Sequence, residues 1–390
     1  LDVPAMSSGT GTIKATDSYS EYAIRGGFFR VNYNYLDKYL LEVNGRYDGS
    51  SKFPKSSRFG FFPSVSAGWQ IAQERFMNST RHWLDGLKLR ASYGVIGNQN
   101  INPYTFTPSM SVNNKATSWI IDDTYVTSIS SLPALVSQNF TWEKVGTINV
   151  GLDVNLFNNR LSGVFEWYQR NTNGMLAPGV QLPAVVGASA PYQNTADMRT
   201  RGWELSLNWR DQIGKVGYRI GFNLSDYKSE IIKYDDNAAT KLLSSYYPGQ
   251  TLGEIWGYVV DGYYTVDDFV DTSSWQLKEG VTSINGYNVR PGDVKFKNLR
   301  DDDTSTNVIT SGDNTFDNPG DRKVIGNTTP RYQYGINLGM NYAGFDLNVI
   351  LQGTGKRDYW ISNVLTFPMN GDNFVPLFEG LSDYWMPKDP

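Results

Sequence analysis

The groups in this sequence that could do chemistry are carboxylates, one histidine and many aromatic rings. Asp122–Asp123 and Asp267–Asp268 are adjacent carboxylates, which would suit a glycosidase only if both flanked one glycosidic bond. Neighbouring residues of an extended chain point to opposite sides, so neither pair has that arrangement. The single histidine, His82, has no nucleophile motif beside it, and we expect a turn histidine. The sequence therefore predicts no catalytic residue and no enzyme.

The candidate metal ligands are acidic residues near position 300. Asp301, Asp302 and Asp303 are adjacent, and oxygen-rich loops suit calcium. Their loop, NLRDDDTSTN, lacks the glycine that makes the sharp turn of a calcium-binding loop. Two interpretations stay open, a calcium site or a solvated acidic loop, and we expect the second, with no cofactor. There is no cysteine, which excludes disulfides and thiolate metal sites.

The composition is unusual for a soluble protein of this size. Of 390 residues, 19% are charged and 14% are aromatic, including 25 Tyr and 11 Trp. Tyr and Trp are favoured where an apolar layer meets water, as at the two interfaces of a membrane. The net charge of −4 gives no broad basic surface for nucleic acid. No window of 18 apolar residues exists, so no membrane-spanning helix is expected.

Apolar and polar residues alternate along several segments, which is the pattern of a strand with one apolar face. A transmembrane barrel would turn that face to lipid and the other to its lumen, because Arg or Lys at the lipid midplane costs roughly 2–4 kcal/mol. The predicted lipid-facing residues are Trp203, Leu205, Leu207, Trp209, Ile336, Leu338 and Met340. The predicted lumen-facing residues are Glu42, Arg46, Arg90, Glu204, Arg210 and Arg219.

The alternation predicts about ten strands, each long enough to cross a bilayer when tilted. They are 21–35, 39–48, 61–72, 87–96, 145–156, 160–170, 201–210, 216–226, 331–342 and 345–354. Short connections alternate with long excursions such as 97–144 and 227–330. This asymmetry is typical of barrels with tight periplasmic turns and long extracellular loops. The fold class is therefore all-β, an antiparallel transmembrane β-barrel in a Gram-negative outer membrane.

Several segments also resemble a known family. YLDKYLLEVNGRYDGSSKFPKSSRFGFFPSVSAGWQIAQERFM, LKLRASYGVIGNQNI, WEKVGTINVGLDVNLFNNRLSGVFEWYQRNTNGML and YPGQTLGEIWGYVVDGYY follow one another in the order found in SusC/RagA-type TonB-dependent transporters. The resemblance covers most of residues 20–355. It implies a 22-stranded barrel around an N-terminal plug, a SusD-like lipoprotein at the extracellular mouth, and energy from TonB acting on the plug.

The extent of the chain differs from that pattern. Residues 1–390 correspond to part of one barrel domain, and we expect the plug and earlier strands before residue 1 and the closing strands after residue 390. Ten strands cannot close so large a barrel, and open strand edges are not tolerated in lipid. We therefore expect the rest of the barrel to be present in the assembly.

Aromatic residues in the 227–330 excursion are the candidates for a substrate vestibule. They could stack on a sugar or contact a peptide, or they could pack against the partner lipoprotein or one another. They are Tyr246, Tyr247, Trp256, Tyr258, Tyr263 and Tyr264.

The leading functional hypothesis is TonB-dependent import of an oligosaccharide or peptide too large for porins, with a SusD-like lipoprotein. One alternative is a passive outer-membrane channel or structural barrel, which an upstream TonB-interacting segment would distinguish. A second is a secreted β-rich protein that binds or cleaves glycans, which detergent-free solubility would favour. The sequence carries no transferable code for the substrate.

Overall fold

The computed structural model describes residues 19–108, 135–137, 140–300 and 307–361 and four two-residue strands between 112 and 130. Ten long strands form one sheet. They are β1 (Ile24–Tyr35), β2 (Tyr39–Ser50), β3 (Phe59–Gln70), β4 (Leu84–Asn98), β5 (Glu143–Leu156), β6 (Leu161–Pro178), β7 (Tyr192–Ile213), β8 (Val216–Tyr234), β9 (Arg331–Tyr342) and β10 (Phe345–Lys356).

Each long strand pairs antiparallel with its neighbour in the sequence, from β1 through to β10. The predicted ten strands and their antiparallel arrangement are confirmed. Three strands are longer than expected at the end away from the tight turns, because β6 continues to Pro178, β7 begins at Tyr192 and β8 continues to Tyr234. No helix in the described part of the chain is long and apolar enough to span a membrane.

Tight turns join the strands at one end of the sheet. Leu36 and Asp37, in the three-residue connection between β1 and β2, both have positive φ (53° and 55°), as the central residues of a type I′ turn require. Ala343 and Gly344, between β9 and β10, repeat this geometry with φ of 49° and 86°. Only the second turn carries a glycine. The turn at Leu36 is instead stabilised by the Asn34 side chain, whose oxygen accepts from the backbone N–H of Asp37 at 3.1 Å.

The connections at the other end are longer and contain only short elements. Short strands lie at Val112–Asn113, Ile120–Ile121, Thr124–Tyr125, Ile129–Ser130, Glu254–Tyr258, Val260–Tyr263, Ser283–Ile284, Val294–Phe296, Val308–Ile309 and Arg322–Asn327. Short 3₁₀ segments lie there at Lys55–Ser57, Ala184–Val186, Asp235–Asn237 and Val266–Asp268, and two more, Ile71–Gln73 and Arg75–Thr80, lie in the β3–β4 connection at the end with the tight turns.

The register places the apolar residues of neighbouring strands side by side. Leu207 of β7 lies opposite Phe222 of β8, which lies opposite Ile336 of β9, which lies opposite Leu351 of β10. Because side chains alternate along a strand, this register gives the whole sheet one continuous apolar face. A slip of one residue would move each of these side chains to the other face, so the register is strongly specified.

Aromatic residues border the apolar face near the tight turns. Tyr39 of β2 lies directly opposite Trp69 of β3. The Tyr39 hydroxyl and the Trp69 indole N–H both donate to the Glu74 carboxylate, at 2.7 and 3.2 Å, and the Lys38 ammonium donates to it at 3.0 Å. These three hydrogen bonds, led by that from Tyr39, lower the pKa of Glu74 to about 2. The polar ends of Tyr39 and Trp69 are therefore held outside the apolar layer.

Substitutions in β9 test the assignment of the two faces. We expect Leu338→Lys in the full-length protein to lose about 2–4 kcal/mol of folding free energy in lipid, because the charge would enter hydrocarbon. Asn337→Lys, one residue away on the opposite face, is the matched control and should be tolerated. Folding into lipid vesicles, followed by heat-modifiable gel mobility, measures both. Equal losses for the two variants would contradict the assignment.

The stabilisation by the hydrogen bonds from Tyr39, Trp69 and Lys38 to Glu74 depends on pH. The folded pKa of Glu74 lies below the ordinary value of 4.5, so its stabilising effect is complete above about pH 4.5 and disappears as pH falls towards 2. We expect Glu74→Gln to lower the thermal unfolding midpoint at pH 7 and to differ little from the parent protein near pH 2. Thermal unfolding in detergent, followed by circular dichroism, measures the difference in midpoint between the two proteins. A difference that does not change with pH would contradict a stabilising role of the Glu74 carboxylate.

Candidate functional site

The polar face of the sheet carries a network of charged side chains across β4, β5 and β6. The Arg90 Nε donates to both oxygens of Asp153, at 3.0 and 3.1 Å, and its terminal nitrogen donates to Glu166. The Asn149 amide also donates to Glu166, at 3.2 Å. All three charged groups are half-buried. The network thus fixes one cation and two anions on three adjacent strands.

Gly151 makes room for this arginine. It lies directly opposite Arg90, and a Cβ added there would come within 2.8 Å of the guanidinium carbon. Gly339 of β9 has the same relation to Arg219 of β8, because an added Cβ would overlap the Arg219 side chain. Glycine in these strands therefore allows a long cationic side chain to lie across the neighbouring backbone.

Two further predicted lumen-facing cations lie near the tight turns. Arg210 of β7 and Arg219 of β8 are directly opposite each other, and both are exposed. Arg219 donates to the side-chain oxygen of Asn348. Neither arginine has a carboxylate within ion-pair distance among the described residues. This part of the polar face consequently has uncompensated positive charge.

The register groups the predicted residues into two sets. Glu42, Arg46, Arg90, Glu204, Arg210 and Arg219 share the polar face, and Trp203, Leu205, Leu207, Trp209, Ile336, Leu338 and Met340 share the apolar face. Which of these faces meets lipid and which meets the lumen stays a prediction.

An ion pair that the sequence did not reveal lies where β8 and β9 separate. Their pairing ends at Ser225 and Gln333. Directly beyond, the buried carboxylate of Asp226 accepts two hydrogen bonds from Arg331 and one, at 3.3 Å, from the backbone N–H of Tyr332. A side chain thus replaces the missing strand–strand hydrogen bonds at this position.

An aromatic cluster fills the corresponding gap between β3 and β4, whose pairing ends at Ser64 and Gly94. Its buried members are Phe53, Phe62, Phe140 and Trp142. The Trp142 indole donates to the carbonyl of Arg58 at 2.9 Å, which joins the loop after β2 to the segment before β5. No periodicity marks these residues, because they lie on loops or at strand ends.

The six candidate vestibule aromatics do not form one surface. Tyr247 and Tyr264 are 1% and 0% exposed, whereas Tyr246 and Tyr263 are 50% and 52% exposed. Tyr258 and Trp256 are half-buried, and the Tyr258 ring contacts Phe296 at 5.2 Å between centroids. Packing within the protein therefore accounts for Tyr247 and Tyr264. Of the six, Tyr246 and Tyr263 have about half of their surface open to a ligand, and the Tyr246 ring also contacts Tyr234 edge-on at 5.8 Å between centroids.

Hydrogen bonding explains why Tyr247 and Trp256 are held inside the excursion. The Tyr247 hydroxyl donates to Glu254, and the Trp256 indole donates to the same carboxylate oxygen at 2.9 Å. The backbone N–H of Thr251 donates to the other oxygen at 3.2 Å. Burial, together with the contact to Glu254, raises the pKa of Tyr247 well above 10. These groups stabilise the loop and are committed to one another.

Tyr264 belongs to a second cluster, with Phe269 and Val289. Its hydroxyl donates to the carbonyl of Thr282 at 2.6 Å. The neighbouring Asp268 caps the 3₁₀ turn at Val266–Asp268 and forms an ion pair with Lys295 at 3.0 Å. Asp267 and Asp268 are therefore part of the loop architecture, and Asp122 and Asp123 lie outside the described residues.

The predicted metal ligands Asp301, Asp302 and Asp303 lie outside the described residues, so the calcium interpretation stays a prediction. No group of acidic or histidine side chains suited to a metal ion occurs in the described ranges. The buried Asp321 carboxylate instead accepts from the backbone N–H groups of Leu299, Arg300 and Thr310, at 2.9, 3.2 and 2.8 Å. His82 lies in the turn after β3, with its Nδ1 3.0 Å from the Ser79 carbonyl oxygen.

Comparison with known proteins identifies the class. Residues 3–385 match the family described as TonB dependent receptor-like, beta-barrel. The chain therefore belongs to the TonB-dependent receptor β-barrel family, which resides in the Gram-negative outer membrane. The predicted family, fold class and location are confirmed.

Curated relatives are longer than this chain. TonB-dependent receptor P3 of Formosa agariphila is 30% identical over 367 residues, which cover 90% of this chain and 33% of that protein. TonB-dependent receptor SusC of Bacteroides thetaiotaomicron is 35% identical over 209 residues, covering 53% of this chain and 20% of SusC. The chain thus spans at most about a third of the length of these two relatives.

Solved structures show the same fold. The RagAB peptide transporter matches with a TM-score of 0.65 and 24% identity, over 85% of this chain and 33% of that one. The RagAB peptide importer in its open-open state matches with a TM-score of 0.66 and 23% identity, over 88% and 34%. At these identities the likeness concerns the fold alone.

The Arg90 network generates a stability prediction. Arg90→Gln leaves Asp153 and Glu166 without their shared cation, and we expect a loss of about 1.5–3 kcal/mol, since hydrogen bonds to charged groups contribute that much. Arg210→Gln is the matched control, because Arg210 has no carboxylate partner among the described residues, and should change stability little. Urea titration of the full-length protein in lipid vesicles compares the two. Equal effects would show that the network does not stabilise the sheet.

Proposed function

We propose that the full-length protein imports a nutrient too large for porins across the outer membrane, with energy supplied through TonB. Residues 1–390 would form part of its barrel wall and extracellular loops and would perform no catalysis. The family match along nearly the whole chain is the single observation that carries this proposal. The division of the sheet into one apolar and one charged face supports it, since a barrel wall separates lipid from a polar lumen.

We further propose an oligosaccharide or a peptide as the substrate and a SusD-like lipoprotein as the partner. The similarity to SusC and the fold likeness to a structure named a peptide transporter support this class of cargo. The long 227–330 excursion would provide the surface for both. Of the six predicted vestibule aromatics, Tyr246 and Tyr263 are the ones that we propose for substrate contact, because each has about half of its surface free.

A growth experiment tests the proposal. A strain lacking the full-length protein is supplied with defined oligosaccharides or peptides as the sole nutrient, and we expect growth to fail on one class. Re-expression should restore growth only when TonB is present. Restoration without TonB would contradict active import and would favour the passive channel.

The same assay tests the two exposed tyrosines. Loss of a stacked ring removes about 0.5–1.5 kcal/mol, so Tyr246→Ala and Tyr263→Ala should each weaken uptake roughly two- to tenfold at limiting substrate. Tyr342→Ala is the control, because Tyr342 is equally exposed (50%) but ends β9 beside a tight turn, at the opposite end of the sheet from the excursion. If Tyr342→Ala impairs uptake as much as the others, Tyr246 and Tyr263 have no specific role.

A further inference from the structure

A group of cations lies on the apolar face of the sheet just beyond its aromatic border. Trp167 of β6 and Trp203 of β7 are directly opposite each other and end the apolar rows of these strands. Two residues further from the tight turns, the same face carries Arg201 of β7, and Lys228 of β8 lies directly opposite it. Because side chains two apart share a face, these cations stand immediately outside the proposed hydrocarbon layer.

Arg199 extends the group by a further two residues along β7. Its partner in the register is Glu230 of β8, but the two side chains do not form an ion pair. Asp226, the other nearby acid, is already neutralised by Arg331. Positive charge is therefore in excess on this part of the face.

The pair Arg201 and Lys228 is a like-charge pair at about 5 Å between Cα atoms, an arrangement that destabilises a sheet unless an anion lies between the side chains. Both side chains are exposed. Arg201 donates a hydrogen bond to Gln169 of β6 at 2.7 Å, which holds its guanidinium over the neighbouring strand. Neither Arg201 nor Lys228 forms an ion pair with a carboxylate among the described residues. Glu230, opposite Arg199, is therefore the one unpaired acid beside three cations in this described part of the face.

We propose that Arg199, Arg201 and Lys228 bind the phosphate groups of a glycolipid in the outer leaflet of the membrane. A phosphate at the headgroup level accepts charge-assisted hydrogen bonds from arginine and lysine, while the acyl chains lie along the apolar rows below Trp203. The protein would thereby be fixed in depth and rotation by its lipid. The proposal depends on the apolar face meeting lipid and does not depend on import.

Lipid retention by the purified full-length protein tests this surface. The probes are diphosphorylated lipid A and the same lipid without phosphate, quantified by native mass spectrometry after detergent washing. We expect the parent protein to retain the phosphorylated form preferentially, and the double variant Arg201→Gln/Lys228→Gln to retain about tenfold less of it. Arg201→Lys/Lys228→Arg, which keeps both charges, should retain it.

Arg210→Gln/Arg219→Gln is the matched control, because it removes a directly opposed cation pair from the other face of the sheet. We expect no change in its lipid retention. Loss of lipid by this control alone would overturn both the proposal and the assignment of faces. Equal retention of the two lipids by the parent protein would overturn direct phosphate binding. Retention that is lost when EDTA removes bridging divalent cations would overturn it as well. Neither result would affect the import proposal.

Discussion

The constraint on which the structure depends is that backbone N–H and C=O groups have no water to bind within hydrocarbon. Each unpaired group there costs several kcal/mol, so crossing strands must pair along their whole length. In the sheet, each strand pairs with its neighbours in unbroken order from β1 to β10. Where two strands separate, other groups satisfy the backbone, as Asp226 does at the end of the β8–β9 pairing.

Continuous pairing turns the alternation of residues into two surfaces with different tasks. On the apolar face, rows such as Leu207, Phe222 and Ile336 adjoin across strands. On the other face, Arg90 joins two carboxylates, and glycines leave space for long cationic side chains. Loops beyond the sheet are freed from the lipid constraint, so they can carry folded clusters, exposed aromatics and the surfaces proposed for substrate and partner.

The sequence predicted the ten strands and the residues of each face because period-two patterning is local and repeated. It did not predict that β6, β7 and β8 extend well past the apolar layer, since water imposes no alternation there. It also treated Tyr247 and Tyr264 like their exposed neighbours. Their burial depends on partners such as Glu254 and Thr282, and composition does not indicate which ring of a loop turns inwards.

Spin labelling of single-cysteine variants at consecutive positions of β9, in the full-length protein in lipid, tests the sidedness most directly. Labels at Ile336, Leu338 and Met340 should be relaxed by oxygen, which partitions into hydrocarbon, and labels at Asn337 and Asn341 by a water-soluble nickel complex. Along β9, relaxation by oxygen and relaxation by the nickel complex should therefore each rise and fall with a period of two residues, in opposite phase. The reverse assignment, or no alternation, would contradict a wall that separates lipid from a polar lumen.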